Sequence, residues 1–226
     1  MTVSIKYHAS IKNETIYSYT YWWATDFGDI ASESGGSKYS IYSAGPNPPT
    51  VGLKLAIQSS SPHSKAAIVM ESQGMYAARV METDGINLSE VSPVIPGNSE
   101  GLEFGEYLIP IPDADLEDPQ FHQLQLQQVQ LKFSGLAISD DIDVSMFEII
   151  RAMLINNYYP SNVDLAVYGL LRGSNASIVK ILKSQGVDVN TPFKDLAIAS
   201  QFDVMNDMPV IEIIATTDQS GILLVA

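Results

Sequence analysis

Residues 161–190 read SNVDLAVYGLLRGSNASIVKILKSQGVDVN, and the stretch predicts two short helices, each closed by a glycine. Asp164 is a good N-cap, and Leu165, Tyr168 and Leu171 come after it at helical spacing. Gly173 stands where a left-handed C-cap ends a helix, since glycine reaches positive φ without a Cβ clash. Ser174 or Asn175 can cap a second helix. Ile178, Ile181 and Leu182 form its apolar stripe, and Val179 widens it. Lys180 and Lys183 suit its outer face and C-terminal end. Gly186 stops the helix, and residues 187–190 leave it extended.

This pattern resembles an ankyrin repeat. Arg172-Gly173 matches the end of the family's first helix, and Ile178-Val179-Lys180-Ile181-Leu182 matches its second. Gly186, Asp188, Val189 and Asn190 match its closing turn. Thr191-Pro192-Phe193-Lys194 and Leu196 to Ala199 are similar to the opening of a second copy. Val210 to Ile214 repeat the second-helix pattern near the family's period of about 33 residues. A partial upstream copy begins at Ile149. The resemblance covers residues 161–214 and implies a protein-binding scaffold. It lacks the family's projecting loop, and it offers two repeats where about three are needed for a stable array.

The chain's 226 residues suffice for one large domain or two small ones. With 12 Lys and Arg against 26 Asp and Glu, the formal charge is −14. That sign disfavours a nucleic-acid partner, which needs a cationic face. No cysteine is present, which removes disulfides, thiolate catalysis and cysteine-based zinc sites. The N-terminus shows no apolar signal segment, and no run is long enough to span a membrane. A cytoplasmic location is the expectation.

The first two-thirds read as strands. Val3, Ile5, Tyr7 and Ala9 alternate with polar residues, as do Tyr17, Tyr19, Tyr21 and Trp23, and then Val51 to Ile57. Ala66 to Glu71 and Met75 to Glu82 flank a hairpin signal at Ser72-Gln73-Gly74. Phe121 to Phe133 is the longest strand, with a β-bulge expected at Gln127-Gln128 to bring Leu124 and Leu126 onto the face of Leu131 and Phe133. From Ser139 the pattern turns helical. The expected fold is α+β: an antiparallel β-sandwich over residues 1–139, then a helical, ankyrin-like layer over 140–226.

Few residues promise chemistry. Gly97-Asn98-Ser99-Glu100-Gly101 matches the nucleophile elbow, with Asp113 or Asp115 and His122 downstream. That elbow needs a strand before it and a helix after it, whereas Pro96 precedes it and Gly105 lies beyond it. A plain turn is the better reading. Asp113, Asp115, Glu117 and Asp118 form an oxygen-rich loop that could bind calcium weakly, but it lacks the glycine and glutamate of an EF-hand. His8, His63 and His122 stand apart, without metal-ligand spacing. Asp140, Asp141 and Asp143 suit a helix N-terminus. The stripe of Tyr17, Tyr19, Tyr21 and Trp23 reads first as core and second as a sugar-stacking or interface face, with Trp22 pointing the opposite way; the candidate interaction residues are Tyr19, Tyr21, Trp22 and Trp23. Residues 222–225, Ile-Leu-Leu-Val, are expected to be buried.

The function expected on these grounds is non-enzymatic: a protein-binding or self-assembling structural subunit, a homo-oligomer or part of a larger assembly, with no cofactor and no membrane or nucleic-acid partner. The alternatives are a lectin-like carbohydrate- or ligand-binding sandwich and, third, a serine hydrolase.

Overall fold

The computed structural model describes residues 3–30, 38–43, 53–72, 100–111, 123–136, 138, 142, 144–146, 148–149 and 165–202. Its elements run β1 (Ser4–Tyr7), α1 (Ile16–Phe27), β2 (Tyr39–Ser43), β3 (Leu53–Gln58), β4 (Ala66–Ser72), β5 (Glu100–Pro110), β6 (Leu124–Ser134), α2 (Ala166–Leu170), α3 (Ala176–Ser184) and β7 (Ala199–Gln201). Residues 142, 144–146 and 148–149 are helical too. All seven strands belong to one sheet, in the order β2-β3-β4-β5-β6-β1-β7. Neighbours are antiparallel except β1 and β7, which run parallel.

A single mixed sheet replaces the expected sandwich. Its main apolar face is covered by helices instead of a second sheet. Ile5, Tyr7, Leu55, Ile57, Ile68, Met70, Leu102, Phe104, Leu131 and Phe133 share one buried cluster with α1, Ile142, Met146, Ile149, α2 and α3. Residues on both sides of 139 enter this cluster. The opposite face holds a smaller one of Ala56, Ala67, Val69, Leu108, Leu124 and Leu126. β3 and β4 therefore bury both faces, which explains their continuous apolar runs.

The largest departure from expectation is α1, whose alternating aromatics predict a strand. Its buried residues are Ile16, Tyr19, Thr20, Trp23, Ala24 and Phe27, the i, i+3, i+4, i+7 spacing of a helix. Thr15 caps it: the Ser18 N–H donates to Thr15 Oγ1 at 3.0 Å, and the Thr15 N–H donates to Ser18 Oγ at 2.9 Å. This reciprocal pair satisfies two backbone donors at the helix start. The Tyr17 N–H donates to the Val189 carbonyl at 3.0 Å. Asn175 ties α1 to the helix pair, its Nδ2 donating to the Tyr17 carbonyl and to Thr20 Oγ1, both at 3.0 Å.

Residues 165–190 fold much as the sequence predicts, although α2 starts after Leu165 with no side-chain cap, and Asp164, the expected cap, lies outside the described residues. α2 and α3 form, and both glycines adopt the expected left-handed turn, at φ 81° for Gly173 and 80° for Gly186. Among the described residues beyond Asn190 the chain does not form a second repeat. Residues 193–195 make one 3-10 turn and 199–201 become β7, paired in register with Ile5, Lys6 and Tyr7. A Cβ on Gly186 would meet no atom within 4 Å, so a larger side chain there strains the backbone alone. Gly186→Val is expected to cost at least about 1 kcal/mol, read from the denaturant midpoint. A midpoint equal to that of the unaltered chain would contradict the left-handed cap.

β6 is the expected strand, and it is bulged, but the irregularity lies elsewhere. The register shifts between Phe104 and Gly105: Phe104 pairs with Leu131 and Gly105 with Val129, leaving Gln130 as the extra residue. The two apolar sets do not share a face. Leu124 and Leu126 lie in the small cluster, Leu131 and Phe133 in the main core. β5 turns over with its partner, with Leu102 and Phe104 in the main core and Leu108 on the other side. Tyr107 makes that turn at φ 49°, the one positive φ among described non-glycine residues. Met75 to Glu82, the hairpin tip at residues 73–74, Val210 to Ile214 and residues 222–225 lie outside the described residues.

Candidate functional site

The sheet irregularity floors a cleft of about 300 Å³ beneath α1, lined by residues that include Trp22, Trp23, Asp26, His63, Lys65 and Glu106. α1 contributes one wall, and the turn between β3 and β4 contributes His63. β-bulges gather at such places because they re-aim side chains. Here the extra residue Gln130 turns towards α1. The Tyr19 hydroxyl donates to Gln130 Oε1 at 2.9 Å, and Gln130 Nε2 donates to Glu106 Oε1 at 2.9 Å. Burial drives the Tyr19 hydroxyl far above its usual range, and the Glu106 carboxylate adds to the rise. Tyr19 is therefore a neutral, permanent donor, which fixes the amide and leaves Glu106 as the acceptor at the end of the chain.

The second carboxylate, Asp26, accepts from Ser64 Oγ at 2.7 Å. The two acids thus line the same cleft, Asp26 from α1 and Glu106 from β5, each held by a polar neighbour. The Lys65 ammonium lies 5.6 Å from the centroid of the Tyr107 ring, a cation–π distance. Among the described residues no group of three or more His, Cys, Asp or Glu side chains could hold a metal. No helix among them is long and apolar enough to cross a membrane.

The aromatic stripe divides. Tyr19 and Trp23 are 7% and 6% exposed and belong to the core, whereas Tyr21 and Trp22 are 45% and 65% exposed. A strand would have put Tyr19 and Trp23 with Tyr17 and Tyr21; the helix buries those two and brings Trp22 to the outer face instead. The Tyr17 and Tyr21 rings stack at 6.4 Å, and Tyr21 meets Trp22 edge-on at 5.4 Å. Of the other candidates, His8 accepts from the Ser10 N–H through Nδ1 at 3.2 Å and caps a 3-10 turn. His63 reaches the cleft. Glu100-Gly101 opens β5, so the would-be nucleophile elbow runs into a strand where the motif requires a helix. Ser99, His122, Asp113, Asp115, Glu117, Asp118, Asp140, Asp141 and Asp143 lie outside the described residues. Sequence reasoning passes over Glu106 and Gln130, whose roles come from the shifted register.

Comparison with known proteins is specific. The family model described as heme-binding protein A (HasA) matches residues 1–226. Similar solved structures include the apo hemophore HasA from Yersinia pestis, with 21% identity and a TM-score of 0.59 over 89% of this chain and 99% of that one. The holo hemophore HasA from the same organism gives 22% and 0.58, with the same coverage of both chains. A monomeric HasA mutant from Yersinia pseudotuberculosis gives 20% and 0.57, again over 89% and 99%. At these identities the likeness is one of fold. Among curated proteins nothing matches.

These matches overturn several expectations. The ankyrin resemblance falls, because the model of a different family spans the whole chain. Two caps with helical stripes are common chemistry, and β7 occupies the position of the second repeat's first helix. A self-assembling structural subunit, a lectin and a serine hydrolase are displaced by a family of heme-binding proteins. That family's members are not enzymes, as the non-enzymatic reading holds. The expectation of no cofactor fails against a heme-binding family with a holo structure. A cytoplasmic location fails as well, since hemophores of this family are secreted.

Proposed function

Because the chain belongs to the HasA family across residues 1–226, we propose that it is a hemophore: it binds heme, carries it and yields it to a protein partner. The full-length family match carries this reading, and the fold shared with the holo hemophore supports it. With no cysteine in the chain, the iron takes its donors from histidine, tyrosine or methionine.

The cleft under α1 does not fit the porphyrin. A heme needs a flat apolar slot and an iron donor shielded from water. This cleft carries two carboxylates, Asp26 and Glu106, which repel the porphyrin's own propionates, and its histidine, His63, is exposed. The proposed heme site is therefore not this cleft. Titrating hemin into the chain should give a shifted Soret band that saturates at a single equivalent, and His63→Ala should leave the titration unchanged. Absence of a saturable shift would remove the hemophore reading. Loss of the shift in His63→Ala alone would return the cleft to the heme site. Self-association is the finer question about partners, and light scattering with and without hemin reads it directly.

A further inference from the structure

The exposed face of α1 and the cleft beside it form one continuous surface. Tyr17, Tyr21 and Trp22 expose 47%, 45% and 65% of their surface and make ring contacts with one another. Trp22 also lines the cleft, together with Asp26 and Glu106. α1 has no lysine or arginine anywhere in Ile16–Phe27. Glu14, just before the helix, accepts from Ser18 Oγ at 2.6 Å, so both ends of the aromatic face are acidic. Lys65 and His63 are the cationic or titratable groups that line the cleft, and Lys65 lies against Tyr107.

Clustered Trp and Tyr rings beside carboxylates are suited to one kind of side chain. A guanidinium stacks on aromatic faces and takes carboxylates through its planar fork of donors, which an ammonium does not match. The carboxylates are already oriented, Glu106 by Gln130 and Asp26 by Ser64, so an incoming cation finds them preorganised. The whole chain, at −14, draws basic partners towards it. Tyrosine, tryptophan and arginine are the residues that anchor interfaces.

We propose that this surface docks a partner protein through an arginine-bearing basic segment, with one guanidinium stacked on Trp22 and directed at Asp26 and Glu106. The site is separate from heme binding, and the test uses the heme-free chain, so failure of the hemophore reading leaves it standing.

The probe is a hexa-arginine peptide followed by tryptophan fluorescence. Of the two tryptophans, Trp22 is exposed and Trp23 is buried, so the change reports on Trp22. Affinity is read by calorimetry for the variants. Trp22→Ala is expected to weaken binding at least about fivefold. Glu106→Gln and Asp26→Asn keep their hydrogen-bond acceptors and are each expected to weaken it about threefold or more. Glu103→Gln is the matched control: it removes the same charge, from a residue paired with Lys132 at 2.8 Å, on the strand face away from α1. Hexa-lysine is expected to bind more weakly than hexa-arginine. Equal losses in Glu103→Gln and Glu106→Gln would mean attraction by net charge alone and would overturn the proposal. So would a dimer that Trp22→Ala dissociates, since the occupant would then be a second copy of the chain.

Discussion

Gly105→Ala is expected to destabilise the chain by about 3 kcal/mol or more. A Cβ built at Gly105 falls 1.9 Å from the Gln128 carbonyl oxygen and 3.0 Å from its carbon. Both are backbone atoms of the partner strand, so no rotamer change relieves the clash. The contact arises from the shifted register, in which Gly105 pairs with Val129 while Gln130 is left over. Gly101 in the same strand provides the comparison. Its added Cβ would meet nothing closer than 3.8 Å, and Gly101→Ala should stay within about 1 kcal/mol of the parent. Urea unfolding of both variants checks this, and equal midpoints would show that the two strands do not approach as closely as the bulge requires.

The same glycine explains why β5 is not legible in the sequence. Glu100 to Pro110 supplies apolar residues at 102, 104 and 108, but glycines at 101 and 105 weaken a strand on propensity grounds. By local rules Gly105 is a breaker. Nothing local shows that a neighbouring backbone comes close enough to require a glycine there. β1 is legible because its apolar residues alternate into one buried face, and β3 and β4 because their apolar runs are buried on both. β6 is legible as a strand, yet its two apolar sets serve two different cores, and no local rule reports that a sheet has apolar cover on both sides.

α1 misleads for another reason. Between Ile16 and Phe27 the aromatics fall so densely that period two and period 3.6 both find apolar residues. Tyr17, Tyr19, Tyr21 and Trp23 satisfy the first; Ile16, Tyr19, Thr20, Trp23, Ala24 and Phe27 satisfy the second. The better discriminator is Thr15 with Ser18, a capping box using serine where glutamate or glutamine is usual. Gly28 supplies the stop signal, at φ 87°. The candidate surface is half legible as a result: a strand register groups Tyr17 and Tyr21 but adds two core residues, Tyr19 and Trp23, and turns Trp22 to the opposite face. Glu106 and Gln130 carry no signal at all, because their meeting depends on a bulge set by two strands separated in sequence.

The aromatic core that α1 helps to build sets the second large effect. Phe104 is fully buried, and its ring lies 5.0 Å from Trp23, 6.3 Å from Tyr19 and 6.0 Å from Phe133, each edge to face. Tyr19 then meets Phe193 at 6.4 Å, and Phe193 stacks on Tyr7 at 5.5 Å. One ring therefore links α1, two central strands and, through Phe193, the segment before β7. Phe104→Ala removes that link and leaves a cavity which sheet and helix cannot both close. The expected cost is about 3–5 kcal/mol, with loss of near-ultraviolet dichroism from Trp23 and Tyr19. Trp22→Ala, one residue from Trp23 but on the outer face, should change stability by no more than about 0.5 kcal/mol. If Trp22→Ala proved as costly as Phe104→Ala, α1 would be facing the sheet with its other side. The docking surface would then lose its exposed aromatic.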